Sequence, residues 1–165
     1  MRFTEIEGRG VLGLLQKAYL EEVLKKYGMH ASKPTPAPIV KGDSFGKHQC
    51  PKNQYELEQM KAVPYAPAVE SLQYAQVCTR PDLSFITGVL GRYQSNPGIE
   101  HWKMVNKALY YVRGTTGLML TYRKLESLEI EGYSDSDFAG DVDDRKSTSG
   151  YIFTLAKRSN IVEEL

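Results

Sequence analysis

The sequence predicts an α+β fold. Apolar residues recur with a helical period between Gln16 and Arg113, the period becomes two after Gly117, and a proline-rich stretch separates the first helix from the others. The expected order is an N-terminal strand and helix, a Pro-rich connector, a helical bundle and then an antiparallel sheet. The expected boundary divides residues 1–116 from 117–165.

Gly10-Val11-Leu12-Gly13-Leu14 is short, apolar and bounded by glycine, which suits a strand or hairpin arm. From Gln16 to Tyr27 the pattern is helical: Tyr19, Leu20, Val23, Leu24 and Tyr27 share one side, leaving Lys17, Glu21, Glu22, Lys25 and Lys26 for water. Gly28 is a natural stop. The start is weaker, because Leu15 stands where a Ser or Thr cap is expected. Residues 30–52 read as a connector laid over a surface, with Pro34, Pro36, Pro38 and Pro51 interrupting hydrogen bonding. Short helices are then expected at 53–61 and 66–77. A third, at 81–94, opens with Pro81 at the favoured first position and Asp82 in its first turn. The helix from about Glu100 to Arg113 carries Trp102, Val105, Leu109 and Val112 as a core stripe. Strands are expected at 118–123, at 128–135 and at 150–155, as one sheet that looks cut off. No strand is expected in the last ten residues, and the open edge at 150–155 predicts a loosely held hairpin.

Composition narrows the function. The chain has 165 residues, 41% of them apolar and 25% charged, with 21 Lys and Arg against 20 Asp and Glu. Such values describe a globular chain, so wholesale disorder is excluded and any basic surface must be local. No apolar run is long enough for a membrane span, so no membrane partner is expected. Glu5 and Glu7 interrupt the N-terminus where a signal peptide needs an apolar core, so a cytoplasmic or nuclear location is expected. Cys50 and Cys78 are expected as free thiols, Cys78 as a small buried hydrophobe.

Two clusters carry chemistry. Asp135, Asp137, Asp141, Asp143 and Asp144 lie within ten positions. Carboxylates at a strand end suit Mg²⁺, and a solvated loop is the plainer reading. An EF-hand is rejected, because Ala139 replaces a ligand and Lys146 stands at the position of the bidentate Glu. His48, Cys50, Cys78 and His101 do not form two close zinc-ligand pairs, and no phosphate-binding glycine loop is present. In the second cluster Lys103 and Lys107 lie one helical turn apart, opposite the Trp102 stripe. Arg92, Arg113, Tyr93, Tyr110 and Tyr111 are close in sequence. Cations neutralise phosphates and aromatic rings stack on bases; a solvated helix face with half-buried tyrosines explains the same pattern.

The stretches VPYAPAVESLQYAQVCTRPDLSF, SNPGIEHWKMVNKALYYVRGT and GYSDSDFAGDVDDRKSTSGYIF, with VLGLLQKAYLEEVLKKYGM before them, cover most of residues 8–155. Together they resemble the Pol polyprotein of copia-type LTR retrotransposons, in the region after the reverse transcriptase palm and into the first strands of ribonuclease H. The resemblance implies a thumb- and connection-like helical region over 1–116 and a truncated ribonuclease H-like sheet over 117–165. It implies that Asp135 matches the first ribonuclease H carboxylate, a ligand of the Mg²⁺ pair that cleaves RNA, and that an RNA–DNA hybrid is the partner of the helices. The paired aspartates of the polymerase are absent, and Glu163 and Glu164 do not match the later nuclease acids. Glu70 stands where the family usually has Gly, and Leu15 where it usually has Ser. One carboxylate cannot hold two metals, so Asp135 is expected to be vestigial, Mg²⁺ not stably held and the isolated chain not an enzyme.

Three readings follow. The chain is an inactive remnant; or it is a module whose helices still grip nucleic acid weakly through Arg92, Lys103, Lys107 and Arg113; or it is a co-opted interaction protein. Some short copia-like chains are described as secreted RxLR-type effectors, although no R-x-L-R string occurs in this one.

Overall fold

A computed structural model describes residues 2–6, 11–40, 42–123, 130–136, 143, 147, 149–155 and 161–163. Strands β1 (Arg2–Ile6) and β2 (Val11–Leu15) lead into helix α1 (Lys17–Lys26). After the connector come α2 (Gln54–Lys61), α3 (Tyr65–Cys78), α4 (Ser84–Gly91) and α5 (Ile99–Gly114). Strands β3 (Met119–Arg123), β4 (Ile130–Ser136), β5 (Ser149–Leu155) and β6 (Ile161–Glu163) follow. The chain is therefore a mixture of helix and antiparallel sheet, as its two periods predict.

The helices meet where their apolar positions coincide. Leu20 and Leu24 of α1, Val69 and Leu72 of α3, Ile86 and Leu90 of α4, and Val105, Leu109 and Val112 of α5 are all buried in one cluster. Full burial of a side chain of this size stabilises by about 1.5–3 kcal/mol. Trp102 lies at the margin, packed against the cluster and partly exposed.

Helix ends follow from local chemistry. At the end of α1, Gly28 takes φ +71°, its N–H donates to Lys25 O (3.1 Å), and Met29 N–H donates to Leu24 O (2.7 Å). This paired closure satisfies carbonyls that the helix would otherwise leave open. The start of α1 is Gln16 rather than Leu15, which is the last residue of β2. The buried Gln16 side chain does not cap the helix; its Oε1 accepts the Thr79 hydroxyl (2.8 Å) and ties this junction to the end of α3. Asn53 caps α2 with Oδ1 on Glu56 N–H (2.9 Å).

The predicted helix at 81–94 is shorter than its pattern. Pro81–Leu83 forms a 3-10 turn, α4 ends at Gly91, and Arg92, Tyr93 and Gln94 each donate to the carbonyl three residues back. These tighter bonds carry the chain round towards α5.

The strands pair differently from the expected single sheet. A four-stranded sheet has the order β1-β2-β3-β6, and β4 and β5 form a separate two-stranded sheet. Leu12 lies opposite Tyr122 where β3 pairs with β2, so strand pairing joins the beginning of the chain to residues beyond 117. The last ten residues do contain a strand: Thr121 lies opposite Ile161 and Leu120 opposite Val162. Ile161 and Val162 are β-branched and suit a strand, although the run is too short to show a period. In the other sheet Ile130 lies opposite Leu155 and Asp135 opposite Gly150. Ile130, Tyr133, Tyr151 and Phe153 there are strongly exposed. Cys50 and Cys78 are free thiols, and both are half-buried, so Cys78 is not the core residue expected.

Candidate functional site

Asp135 sits on β4 and is exposed, with Oδ1 accepting the N–H of Ser136 (2.8 Å). Of the other loop acids, Asp137, Asp141 and Asp144 lie outside the described residues. Asp143 reaches the helical body: Oδ1 accepts the Lys47 N–H (2.8 Å) and Oδ2 the Tyr93 hydroxyl (3.1 Å). No group of three or more metal-binding side chains comes together among the described residues. A Mg²⁺ pair needs several convergent carboxylates, and the described residues do not supply that donor set.

Below Asp143 lies a buried aromatic pair. Tyr93 stacks on His101, with ring centroids 4.0 Å apart and planes at 12°. His101 stands in the first turn of α5, and Nδ1 accepts the N–H of Gly98 (3.0 Å), as a Glu or Gln does at this position of a capping box. An accepting Nδ1 places the proton on Nε2, which is buried and has the Gly46 backbone near it without a well-formed hydrogen bond. Burial pushes the imidazole below its ordinary pKa, against weaker upward pulls from the Gly46 backbone and the Asp143 carboxylate. The fit depends on Gly98, where an added Cβ would come within 1.9 Å of Gln49 O. Burial raises the pKa of nearby Cys50, with Asp143 adding to the effect, so this thiol is not activated as a nucleophile.

The predicted nucleic-acid residues all stand outside the core, and each has a partner within the chain. Arg92 is exposed in the turn after α4. Lys103 pairs with Glu100 on its own helix (2.6 Å), both largely exposed. Lys107 pairs with Asp43 of the connector, and both side chains are mostly covered. Burial works against the Asp43 carboxylate, but the Lys107 ammonium and the Val40 N–H outweigh it and hold its pKa below the ordinary range. Arg113 donates through Nε to His30 O (2.8 Å).

Tyr110 and Tyr111 are half-buried, as the solvated-face reading of the pattern has them, and Tyr93 is buried more deeply than that. Tyr93 is stacked on His101, and Tyr111 packs against the core, lies beside the Arg80 guanidinium and donates its hydroxyl to Asp82 (2.8 Å).

Sequence reasoning missed a second centre, at Arg80. Its side chain is fully buried and forks onto both oxygens of Asp82 (3.0 and 2.7 Å), while Nη1 and Nη2 reach the carbonyl and hydroxyl of Thr115 (3.0 and 2.7 Å). The Tyr111 ring lies 5.5 Å from the guanidinium. This node ties the turn before α4 to the end of α5. The one signal in the sequence is an Arg directly before the Pro-Asp of a helix start. His101 left a weaker trace, three residues after a glycine at a predicted helix start.

Among known proteins, the chain is similar to the retrovirus-related Pol polyprotein from transposon TNT 1-94 of Nicotiana tabacum, 44% identical over 145 residues. That match covers 88% of this chain and 11% of the polyprotein. It is also similar to the retrovirus-related Pol polyprotein from transposon RE2 of Arabidopsis thaliana, 35% identical over 156 residues, covering 93% of this chain and 10% of that one. A third relative, secreted RxLR effector protein 161 of Plasmopara viticola, is 44% identical over 96 residues, which is 58% of this chain and 68% of the effector. The chain thus spans only about a tenth of the length of the Pol relatives. No family model and no solved structure matches it.

Proposed function

We propose that the chain, which is similar to retrovirus-related Pol polyproteins of plant transposons, is a remnant of the thumb, connection and ribonuclease H region of a copia-type Pol polyprotein, without catalysis on its own and with weak affinity for nucleic acid. The observation that carries this reading is the placement of the four cations. The apolar stripe of α5 turns into the core, and Lys103, Lys107 and Arg113 leave it on the other sides, with Arg92 on the neighbouring turn. In this reading 1–116 is the part that tracks an RNA–DNA hybrid, 117–165 derives from the nuclease, and the chain acts in the cytoplasm or nucleus.

Catalytic silence rests on Asp135. One exposed carboxylate does not position two Mg²⁺ ions, so stable binding of the metal is not expected there. Incubation of the chain with an RNA–DNA hybrid and Mg²⁺ should release no product. Cleavage that disappears in Asp135→Asn would refute the proposal. Binding should weaken steeply with salt, with log K falling by about 0.9 per tenfold rise in salt for each duplex phosphate neutralised.

The similarity to the secreted effector favours a second reading, a co-opted interaction protein. Export of a tagged full chain from its cell of origin, with no salt-dependent binding to nucleic acid, would select it over the first.

A further inference from the structure

The connector between α1 and α2 lies across α5, and its contacts fall on the cations of the nucleic-acid reading. Arg113 Nε donates to His30 O, Thr35 N–H donates to Tyr110 O (3.4 Å), and Lys107 Nζ donates to Asp43 Oδ2. The Asp43 carboxylate is fixed before Lys107 reaches it: Val40 N–H donates to Oδ2 (2.7 Å), and Asp43 N–H donates back to Val40 O (3.1 Å). Only 20% of the Lys107 side chain and 12% of that of Asp43 remain exposed, against 60% for Lys103. The Lys103 partner is an exposed neighbour on the same helix. The Lys107 partner comes from a different segment and is held in a turn.

We infer that the connector is a built-in cover on α5, in which Asp43 stands on Lys107 where a backbone phosphate would otherwise sit. A carboxylate oxygen on an ammonium makes the same charge-assisted contact that a phosphate oxygen makes. Nucleic acid must therefore displace Asp43 to use Lys107, and the intact chain binds with one cation fewer than its surface would allow. The inference rests on the nucleic-acid reading above and assigns that surface its internal competitor.

Fluorescence anisotropy with a labelled RNA–DNA hybrid of about twenty base pairs, titrated with the full chain over a salt series, tests it. Asp43→Asn keeps an oxygen for Val40 and drops the charge. It should tighten binding about two- to fivefold, the worth of one released ion pair, and steepen the salt slope by about one phosphate. Asp43→Ser should do the same, and adding Lys107→Gln to either variant should return affinity and slope to the wild-type values. Salt-dependent binding by the wild type that neither Asp43 variant changes would overturn the cover and leave the binding surface standing. Absence of binding by every variant at low salt would overturn both.

Discussion

At the scale of single residues, His101 is the group whose chemistry has the clearest consequence. Two features oppose its protonation: it is fully buried, and its Nδ1 already accepts the Gly98 N–H that closes the start of α5. A proton on Nδ1 would break that cap and place a charge in a buried site. Its pKa in the folded chain therefore lies below the ordinary 6.5. Between these two values the unfolded chain binds more protons than the folded one, so stability rises with pH across that window. The contribution is complete above about pH 6.5 and is lost as pH falls towards the folded value. Urea midpoints measured from pH 7.5 down to pH 5 should fall, and His101→Gln should flatten this part of the curve. Asp43 titrates in a separate window, because a carboxylate with a lowered pKa loses its contribution only as pH falls below its ordinary 3.8. Of this centre the sequence showed His101 and the acidic loop. It did not show that Tyr93, eight positions before His101, turns back to stack on it. A tyrosine in an amphipathic pattern reads equally well as a base-stacking surface group or as a core residue. Only the turn between α4 and α5 decides between them.

At the scale of elements, local chemistry was legible and long-range pairing was not. The stripe of α5, the face of α1, the Asn53 start of α2 and the Gly28 stop of α1 all follow from side chains within one or two turns of each other. The stop gives a direct prediction. Gly28 has φ +71° and open space where a Cβ would stand, so Gly28→Ala meets backbone strain without a clash. The variant should lose about 1–2 kcal/mol, the cost of a left-handed non-glycine residue, read as a lower urea midpoint with an unchanged slope. An unaltered midpoint would show that the paired closure onto Lys25 and Leu24 does not hold the end of α1. The sheets lie at the other extreme. A period of two identifies a strand and its two faces but names no partner. Nothing local states that 119–123 pairs with 11–15 rather than with 130–136, and three residues at 161–163 are too few to show a period at all. The closure of that sheet is a property of the whole chain.

At the scale of the molecule, the parts differ in how they are held. The helices share one buried cluster, and Arg80 and Gln16 bind its margins through hydrogen bonds to Thr115 and Thr79. β4 and β5 have each other, with Ile130, Tyr151 and Phe153 exposed. A two-stranded ribbon is marginal in water without a covered face. One tie to the helical body is Asp143, from the segment between the strands, bonded to Lys47 N–H and the Tyr93 hydroxyl. The two parts should therefore open independently. Native-state hydrogen exchange should show the β4 and β5 amides at least roughly a hundredfold less protected than those at the centres of α3 and α5, because local opening exposes them without breaking the core. Tyr93→Phe removes one bond to Asp143 and leaves the ring on His101. It should speed exchange in the ribbon by about three- to tenfold, the worth of one hydrogen bond to a charged group shared with other contacts, and leave α3 almost unchanged. Equal protection in the ribbon and in α5 would mean that one cooperative unit holds both. In that case the Asp143 tie, rather than the helical cluster alone, would set the global stability of the chain.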